Sequence, residues 1–552
     1  MTVDTARASP GAPSLIAMTT TEKHQRGTRL AALMAATLLA SLFAPVGRPQ
    51  AAQPPVPRLN WSACPDAAEL QCATAHVPLD HGNPSGGRIV LPLIKVPASS
   101  PDQRIGVLVL HRGGPGFSTV DYVKLLHAHQ LPNPLSSQVW ARYDVIGVDQ
   151  RGVGHSSPAV RCFESKAKQR EFSAGMPAFP VTAEQQRQRA VKDAEYAQRC
   201  RKLSGKLLDH VTTAEAVQDL DLIRAALGEP RLNFLGQSYG SYLGSVYANM
   251  FPNRVGRFVF DSVVDPVRQT SGASGTIASA RTGSDVASTA TLDEFFRLCA
   301  EAGPNCPFGD GDPQAAFQRL AERLRAAPLR LTASDGRTVV VSYNIIIALA
   351  GGLLYQPGLG FWEVLATTLQ QTEQVIAEPD GPFAANYAAG LLDTIDAGFG
   401  GLPHDAPEGQ AFHAVHCTDV ENPDDPQAWA RIAERREPIA PHFATLRAYE
   451  SSPCAAWRGH GAARYTGPWD AATVEPVLIV NSRFDPATPV ESAIRLQATL
   501  PNSRLLINEG WGHVTTQQSS CAVDAISAYL VAGRLPANGA TCRPDRVPFS
   551  AP

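Results

Sequence analysis

The sequence predicts an α/β fold: a mostly parallel sheet covered by helices and interrupted by a large, mainly helical insertion. Three observations carry that prediction. Between residues 88 and 261, short apolar runs alternate with helical stretches, as parallel strands joined by crossover helices do. The alternation stops from about residue 266 to residue 474, where the pattern is helical, and it returns at Val477. Finally, the apolar run from Leu232 leads straight into Gly236-Gln237-Ser238-Tyr239-Gly240. That is the form of a strand, a sharp turn and a helix with serine at the apex.

These landmarks divide the 552 residues into four parts: 1–52, 53–265, 266–474 and 475–552. In the first, Lys23, Arg26 and Arg29 precede an apolar run over 30–44, and small residues follow up to Ala52. Basic, then apolar, then small is the order of a secretory signal peptide. The run is short for a membrane span, and no second long apolar stretch follows. Translation starts at Met1 or at Met18, which sits at the more usual distance from the run. The expectation is a protein exported to the medium, the periplasm or the cell envelope. Five Lys/Arg and two Asp/Glu leave with residues 1–52, moving the formal charge from −3 to −6. With no basic cluster, nucleic-acid binding has no electrostatic support. All ten cysteines follow the signal segment, which in an exported chain predicts five disulfides. Spacing leaves the connectivity open. Sequential neighbours close short loops: Cys64–Cys72, Cys162–Cys200, Cys299–Cys306, Cys417–Cys454 and Cys521–Cys542.

Taken in order, residues 88–96 read as a strand, and Pro92 suggests an edge position. Residues 105–110 form a compact apolar strand that runs into His111-Arg112-Gly113-Gly114-Pro115-Gly116. Such a loop is either an ordinary tight turn or a place where backbone N–H groups face a ligand. Residues 143–148 are the next strand, followed by Asp149-Gln150-Arg151-Gly152-Val153-Gly154-His155. Asp149, Arg151 and His155 are expected to hold this loop rather than to do chemistry. Residues 157–211 are polar and helix-prone, with Cys162 and Cys200 at their ends. Thr212 and Glu215 then make a capping box, and Ala216, Leu220, Ile223 and Leu227 share one helical face. Gly228 and Pro230 stop that helix before the strand leading to Ser238. After a helix over 242–250, residues 258–260 supply another strand, ending at Asp261. Within the helical stretch, loops are expected at 309–312 and 398–408. Strands resume at 477–480 and 504–507, and a last helix covers about 522–531.

Ser238, Asp485 and His513 each lie just past a candidate strand, so the sheet brings all three loops to its carboxyl edge. Serine is a poor nucleophile at neutral pH until an imidazole takes its proton. A carboxylate then fixes the ring tautomer and stabilises the imidazolium. The chain order Ser, Asp, His is that of the α/β-hydrolases. The oxyanion donors would be the N–H of Tyr239 and that of Gly113 or Gly114. Asp261, at the end of the preceding strand, is the rival acid. No CxxC and no Cys/His ligand cluster occurs, so neither metal nor cofactor is expected.

Resemblance sharpens the assignment. Gly113-Gly114-Pro115-Gly116, the Asp149–Ser156 loop and Gly236-Gln237-Ser238-Tyr239-Gly240 resemble the proline iminopeptidase group of α/β-hydrolases. Thr212-Thr213-x-x-Ala216-Val217-x-Asp219-Leu220-Asp221, Phe251-Pro252-Asn253-Arg254-Val255, His416-Cys417-Thr418-Asp419 and Asp485-Pro486-Ala487-Thr488-Pro489 resemble its secreted tripeptidyl aminopeptidase-like members. So does the ending Leu535-Pro536-Ala537-Asn538-Gly539-x-x-Cys542. The resemblance covers roughly residues 60–545. It implies that the insertion is a lid and that an acidic group in it receives the free amino terminus of a peptide substrate. Asp419 is the candidate for that group and Glu421 the second, although Asp419 equally fits a carboxylate capping a turn beside a disulfide. Proline-preferring members carry His before the Gly-Gly-Pro-Gly loop and often Trp after the nucleophile. Here Arg112 and Tyr239 stand there, so proline specificity does not carry over. The expected activity is serine exopeptidase action at free amino termini. An esterase or lipase uses the same chemistry, and a non-catalytic binding protein is the remaining alternative. Oligomeric state is left open.

Overall fold

The computed structural model of the protein describes residues 54–550, apart from 273–274, 397–406, 458–460 and 462. The signal-like segment 1–52 and most of the 398–408 loop lie outside the described residues. No helix among the described residues is long and apolar enough to cross a membrane.

Twelve strands occur among the described residues: β1 (Ser62–Cys64), β2 (Ala67–Pro78), β3 (Arg88–Val96), β4 (Gly106–His111), β5 (Tyr143–Val148), β6 (Leu232–Gln237), β7 (Val255–Asp261), β8 (Leu329–Thr332), β9 (Thr338–Val341), β10 (Val477–Phe484), β11 (Ser503–Trp511) and β12 (Thr541–Cys542). Ten of them form one sheet in the order β1-β2-β3-β5-β4-β6-β7-β10-β11-β12. From β5 onward every pairing is parallel, whereas β1, β2 and β3 join antiparallel. The strand period of two sorts the side chains onto two faces. Val107, Val109, Phe234, Phe258 and Phe260 pack under the helices Thr213–Ala226 and Tyr239–Met250. Leu108, Leu110, Leu235, Val259 and Val480 pack against Thr119–His127 and Ser520–Ala532. Both faces are covered, as a parallel sheet requires.

One expectation is corrected. The strand carrying Pro92 is not at an edge, because it pairs with both β2 and β5. Its ladder to β5 stops at Leu93, and Val90 instead makes a lone bridge with Ser157. Val90 N–H faces Ser157, so the backbone of residue 92 faces the same side, in the gap between the two. There Pro92 only has to accept, from Asp149 N–H at 3.2 Å, and its missing N–H costs no bond. The mainly helical stretch also holds the antiparallel pair β8–β9.

The helix-capping half of the box is present: the Thr212 hydroxyl accepts from Glu215 N–H at 3.2 Å, and the Glu215 carboxylate returns to that hydroxyl, at 3.0 Å, rather than to the Thr212 N–H. All five expected disulfides are formed and no cysteine is free. Between Asp261 and Val477 no strand of the large sheet occurs among the described residues, yet β7 and β10 are direct parallel neighbours. The roughly 200 residues between them are accommodated at the carboxyl end of β7, as helices such as Ser284–Ala302, Phe361–Ala377 and Phe443–Tyr449.

Candidate active site

Ser238 stands between β6 and the helix Tyr239–Met250 with φ 55° and ψ −121°. A non-glycine residue in that region is strained and persists only where its surroundings hold it. Its N–H donates to Asp261 O at 2.9 Å, and its carbonyl accepts from Ser241 N–H at 2.8 Å. The flanking glycines are required by packing. A Cβ on Gly236 would run into the Gly240 carbonyl, and one on Gly240 would lie 2.6 Å from the His111 carbonyl.

His513 follows β11 and Asp485 follows β10. His513 Nδ1 lies 2.9 Å from both Asp485 carboxylate oxygens. Asp485 also accepts from Ala487 N–H and Thr488 N–H, each at 2.9 Å, and from the Thr488 hydroxyl at 2.8 Å. Burial pushes the Asp485 carboxyl up, but the adjacent His513 and these donors outweigh it and hold it below its ordinary value. The carboxylate therefore stays ionised and fixes His513 Nδ1 as a donor, leaving Nε2 as the basic nitrogen.

The rival acid, Asp261, does different work. It is fully buried and accepts from Thr515 N–H at 2.8 Å, Thr516 N–H at 3.1 Å and the Thr516 hydroxyl at 2.8 Å. Ser262, next to it, accepts from Val514 N–H at 2.8 Å. Since Asp261 O also takes the Ser238 N–H, the end of β7 straps the His513 loop to the Ser238 turn.

The glycine loop packs on the same turn. Gly113 and Gly114 have φ of 102° and 110°, and a Cβ on Gly113 would strike Gln237 O. Gly113 N–H donates to His111 Nδ1 at 3.1 Å, while Gly114 N–H makes no hydrogen bond among the described residues. Of the two, Gly114 is thus the available donor. His111 is buried and bonded through Nε2 to Gln150 at 3.0 Å, and burial pushes its pKa down to about 4. Its ring is accordingly neutral, with Nδ1 accepting.

Asp149, Arg151 and His155 hold loops. Asp149 accepts from the Ser118 hydroxyl, Val120 N–H and His155 N–H. Arg151 is fully buried and forks onto Asp219 at 2.7 and 2.8 Å. His155 pairs with Asp121 at the surface. Asp80, His210 and Glu215 bring ligand-type atoms within 4.8 Å of one another. The Arg151 guanidinium, 3.4 Å from Glu215, already supplies positive charge there.

Asp419 is buried beneath the site. Both its oxygens accept from Thr213 N–H, at 3.0 and 2.9 Å, and the Thr213 hydroxyl bonds it as well. Thr213 Oγ1 is in turn 2.5 Å from the Tyr239 hydroxyl. Asp419 thus caps a helix start beside the Cys417–Cys454 bridge and reaches Tyr239 through one threonine. Glu421 is exposed; its backbone carbonyl accepts from Arg281 at 2.9 Å, and its carboxylate accepts no hydrogen bond among the described residues. Sequence reasoning missed Tyr355, which belongs to the helical stretch. Its carbonyl accepts His513 N–H at 2.8 Å, and its ring meets the His513 ring edge-on with centroids 5.1 Å apart. Close to it, a Cβ on Gly512 would lie 2.6 Å from Pro357. No local motif marks position 355.

Comparison with known proteins places this geometry in a family. Residues 106–280 match the alpha/beta hydrolase fold model, and residues 440–542 match the TAP-like protein model. A tripeptidyl aminopeptidase of Streptomyces lividans is 32% identical over 509 residues, covering 89% of this chain and 87% of the relative. Serine protease Hip1 of Mycobacterium bovis is 29% identical, covering 90% and 93%. Carboxylesterase B of Mycobacterium tuberculosis is 31% identical, covering 88% and 90%. The chain belongs to the tripeptidyl aminopeptidase family of serine peptidases, built on the α/β-hydrolase fold.

Proposed function

We propose that Ser238, His513 and Asp485 are the catalytic triad of an exported exopeptidase that releases short peptides from free amino termini. The observation carrying this reading is the His513–Asp485 pair, strapped through Asp261 and Ser262 to the strained Ser238 turn. Ser238 Oγ attacks the scissile carbonyl carbon while His513 Nε2 takes its proton. The oxyanion is received by Tyr239 N–H and Gly114 N–H. His513 then protonates the leaving amine, and water hydrolyses the acyl-enzyme by the same route. The residues between β7 and β10 act as a lid. Within it, Glu421 keeps its carboxylate available for a substrate ammonium, whereas Asp419 acts on Tyr239 through Thr213. Five disulfides support export to an oxidising compartment.

A fluorophosphonate probe should label Ser238 in the wild type and fail on Ser238→Ala, with turnover falling about 10⁶-fold. Labelling at another residue sinks the triad. Tripeptide-linked chromogenic substrates should lose most of their turnover when the amino terminus is acetylated. Equal turnover of blocked and free peptides, with faster cleavage of simple esters, would favour a second reading as an esterase. The relative named carboxylesterase B is the observation behind that reading.

A further inference from the structure

We propose that Arg447 is a positioning residue for the triad, setting Asp485 and His513 together from within the helical segment. The inference rests on the triad reading above. Arg447 is buried in the last turn of the helix Phe443–Tyr449, and it uses all three guanidinium nitrogens. Nε donates to the Ser288 hydroxyl at 3.0 Å, and Nη2 to the Pro486 carbonyl at 3.2 Å. Nη1 donates to Glu450 at 2.7 Å and to the Tyr355 hydroxyl at 3.3 Å.

Two of these arms end one step from the triad. The Ser288 hydroxyl also donates to the Pro486 carbonyl, at 2.7 Å, so that oxygen is held twice. The same peptide unit carries the Ala487 N–H, which donates to Asp485 Oδ1 at 2.9 Å. Fixing the carbonyl end of a planar peptide fixes the direction of its N–H, and donors on the carbonyl polarise that N–H toward its acceptor. Arg447 therefore acts on Asp485 through one peptide plane. On the other side, the Tyr355 hydroxyl is tied to Arg447, its ring edge meets the His513 ring, and its carbonyl takes His513 N–H. Only a rigid planar fork spans both directions at once, so Lys is not an equivalent. Glu450 balances the buried charge.

Removing Arg447 alone would strand Glu450, so the informative protein is the double variant Arg447→Met/Glu450→Gln. Three quantities are compared with wild type: the rate of Ser238 labelling by a fluorophosphonate, kcat and KM on a free tripeptide substrate, and the urea midpoint. The labelling rate and kcat should fall together by about 10- to 100-fold while KM changes less than about twofold. Arg447→Lys should recover part of the loss. A labelling rate equal to wild type in the folded double variant overturns the inference, as does a loss confined to KM. If the double variant does not fold, Tyr355→Phe and Ser288→Ala each remove one hydroxyl of the clamp. Slower labelling of both supports the inference, and unchanged labelling of both overturns it. A wild type that fails to label would instead bring down the triad reading itself.

Discussion

The carboxyl edge of the sheet and the helical segment facing it supply the site in different ways. At the sheet edge, the residues of the proposed triad are held by backbone. Ser238, Asp485 and His513 each sit within a few residues of a strand end, and neighbouring strands impose their spacing. In the helical segment, the contacts to the site come from scattered side chains and one carbonyl: Tyr355, Arg447, Ser288 and, beneath Tyr239, Asp419. The sheet thus sets the place of the proposed triad with a few short motifs. The helical segment reaches it through contacts between residues far apart in sequence.

That contrast can be tested at graded strength. The largest effect separates the two acids at the sheet edge. Asp485→Asn should lower kcat about 10⁴-fold in a folded protein, because the His513 tautomer is lost. Asp261→Asn should act mainly on stability. Its amide keeps an acceptor for one of Thr515 N–H and Thr516 N–H and turns hydrogens toward the other, at a cost of about 1–3 kcal/mol in urea unfolding. If Asp261→Asn proved the more damaging to kcat, Asp261 would be the catalytic acid and the strap reading would fail.

The next effect lies in the helical segment. Replacing Cys417 and Cys454 by serine opens a loop of sequence separation 37 and should cost about 2–5 kcal/mol. An unchanged urea midpoint would show that the segment's packing alone defines the Asp419 region.

The smallest effect, at most about 1.4 kcal/mol for each pH unit, is a slope. Burial pushes the Asp419 carboxyl from 3.8 up to about 7. The folded state therefore binds a proton more readily than the unfolded chain between those two values. Stability should accordingly fall as pH rises through that window. Asp419→Asn should flatten the fall, read as urea midpoints at several pH values. A slope that survives the substitution belongs to another group.

How much was legible in the sequence follows the same division. Strands β3 and β5 lie where the apolar runs place them; β5, in the sheet interior with both faces covered, reads as nearly uninterrupted hydrophobicity. The glycine spacing around Ser238 is equally local, being required by close approaches within four residues and to the adjacent loop. The hairpin β1–β2 escaped, since its residues 67–73 are half exposed and its sequence alternates weakly. Pro92 misled because the general confinement of proline to edges holds only where the ladder is unbroken on that side. Arg447 and Tyr355 could not be found by pattern at all. Apart from Glu450, three residues on, the partners of the Arg447 guanidinium lie 39 to 159 residues away, and nothing in the chain between records the distance.

The covalent framework has a consequence of its own. Two bridges, Cys299–Cys306 and Cys417–Cys454, lie wholly within the helical segment, and the other three lie wholly outside it. No sulfur link joins the segment to the sheet that carries it. The segment is therefore a cartridge: another one of different length or lining could be spliced between β7 and β10 without rewiring a single bridge. Such an exchange would leave every bridge intact but would have to keep Ser288, Tyr355 and Arg447, whose contacts reach Pro486 and His513. A chimera with a relative's segment grafted at these two strand ends is the direct construction to build.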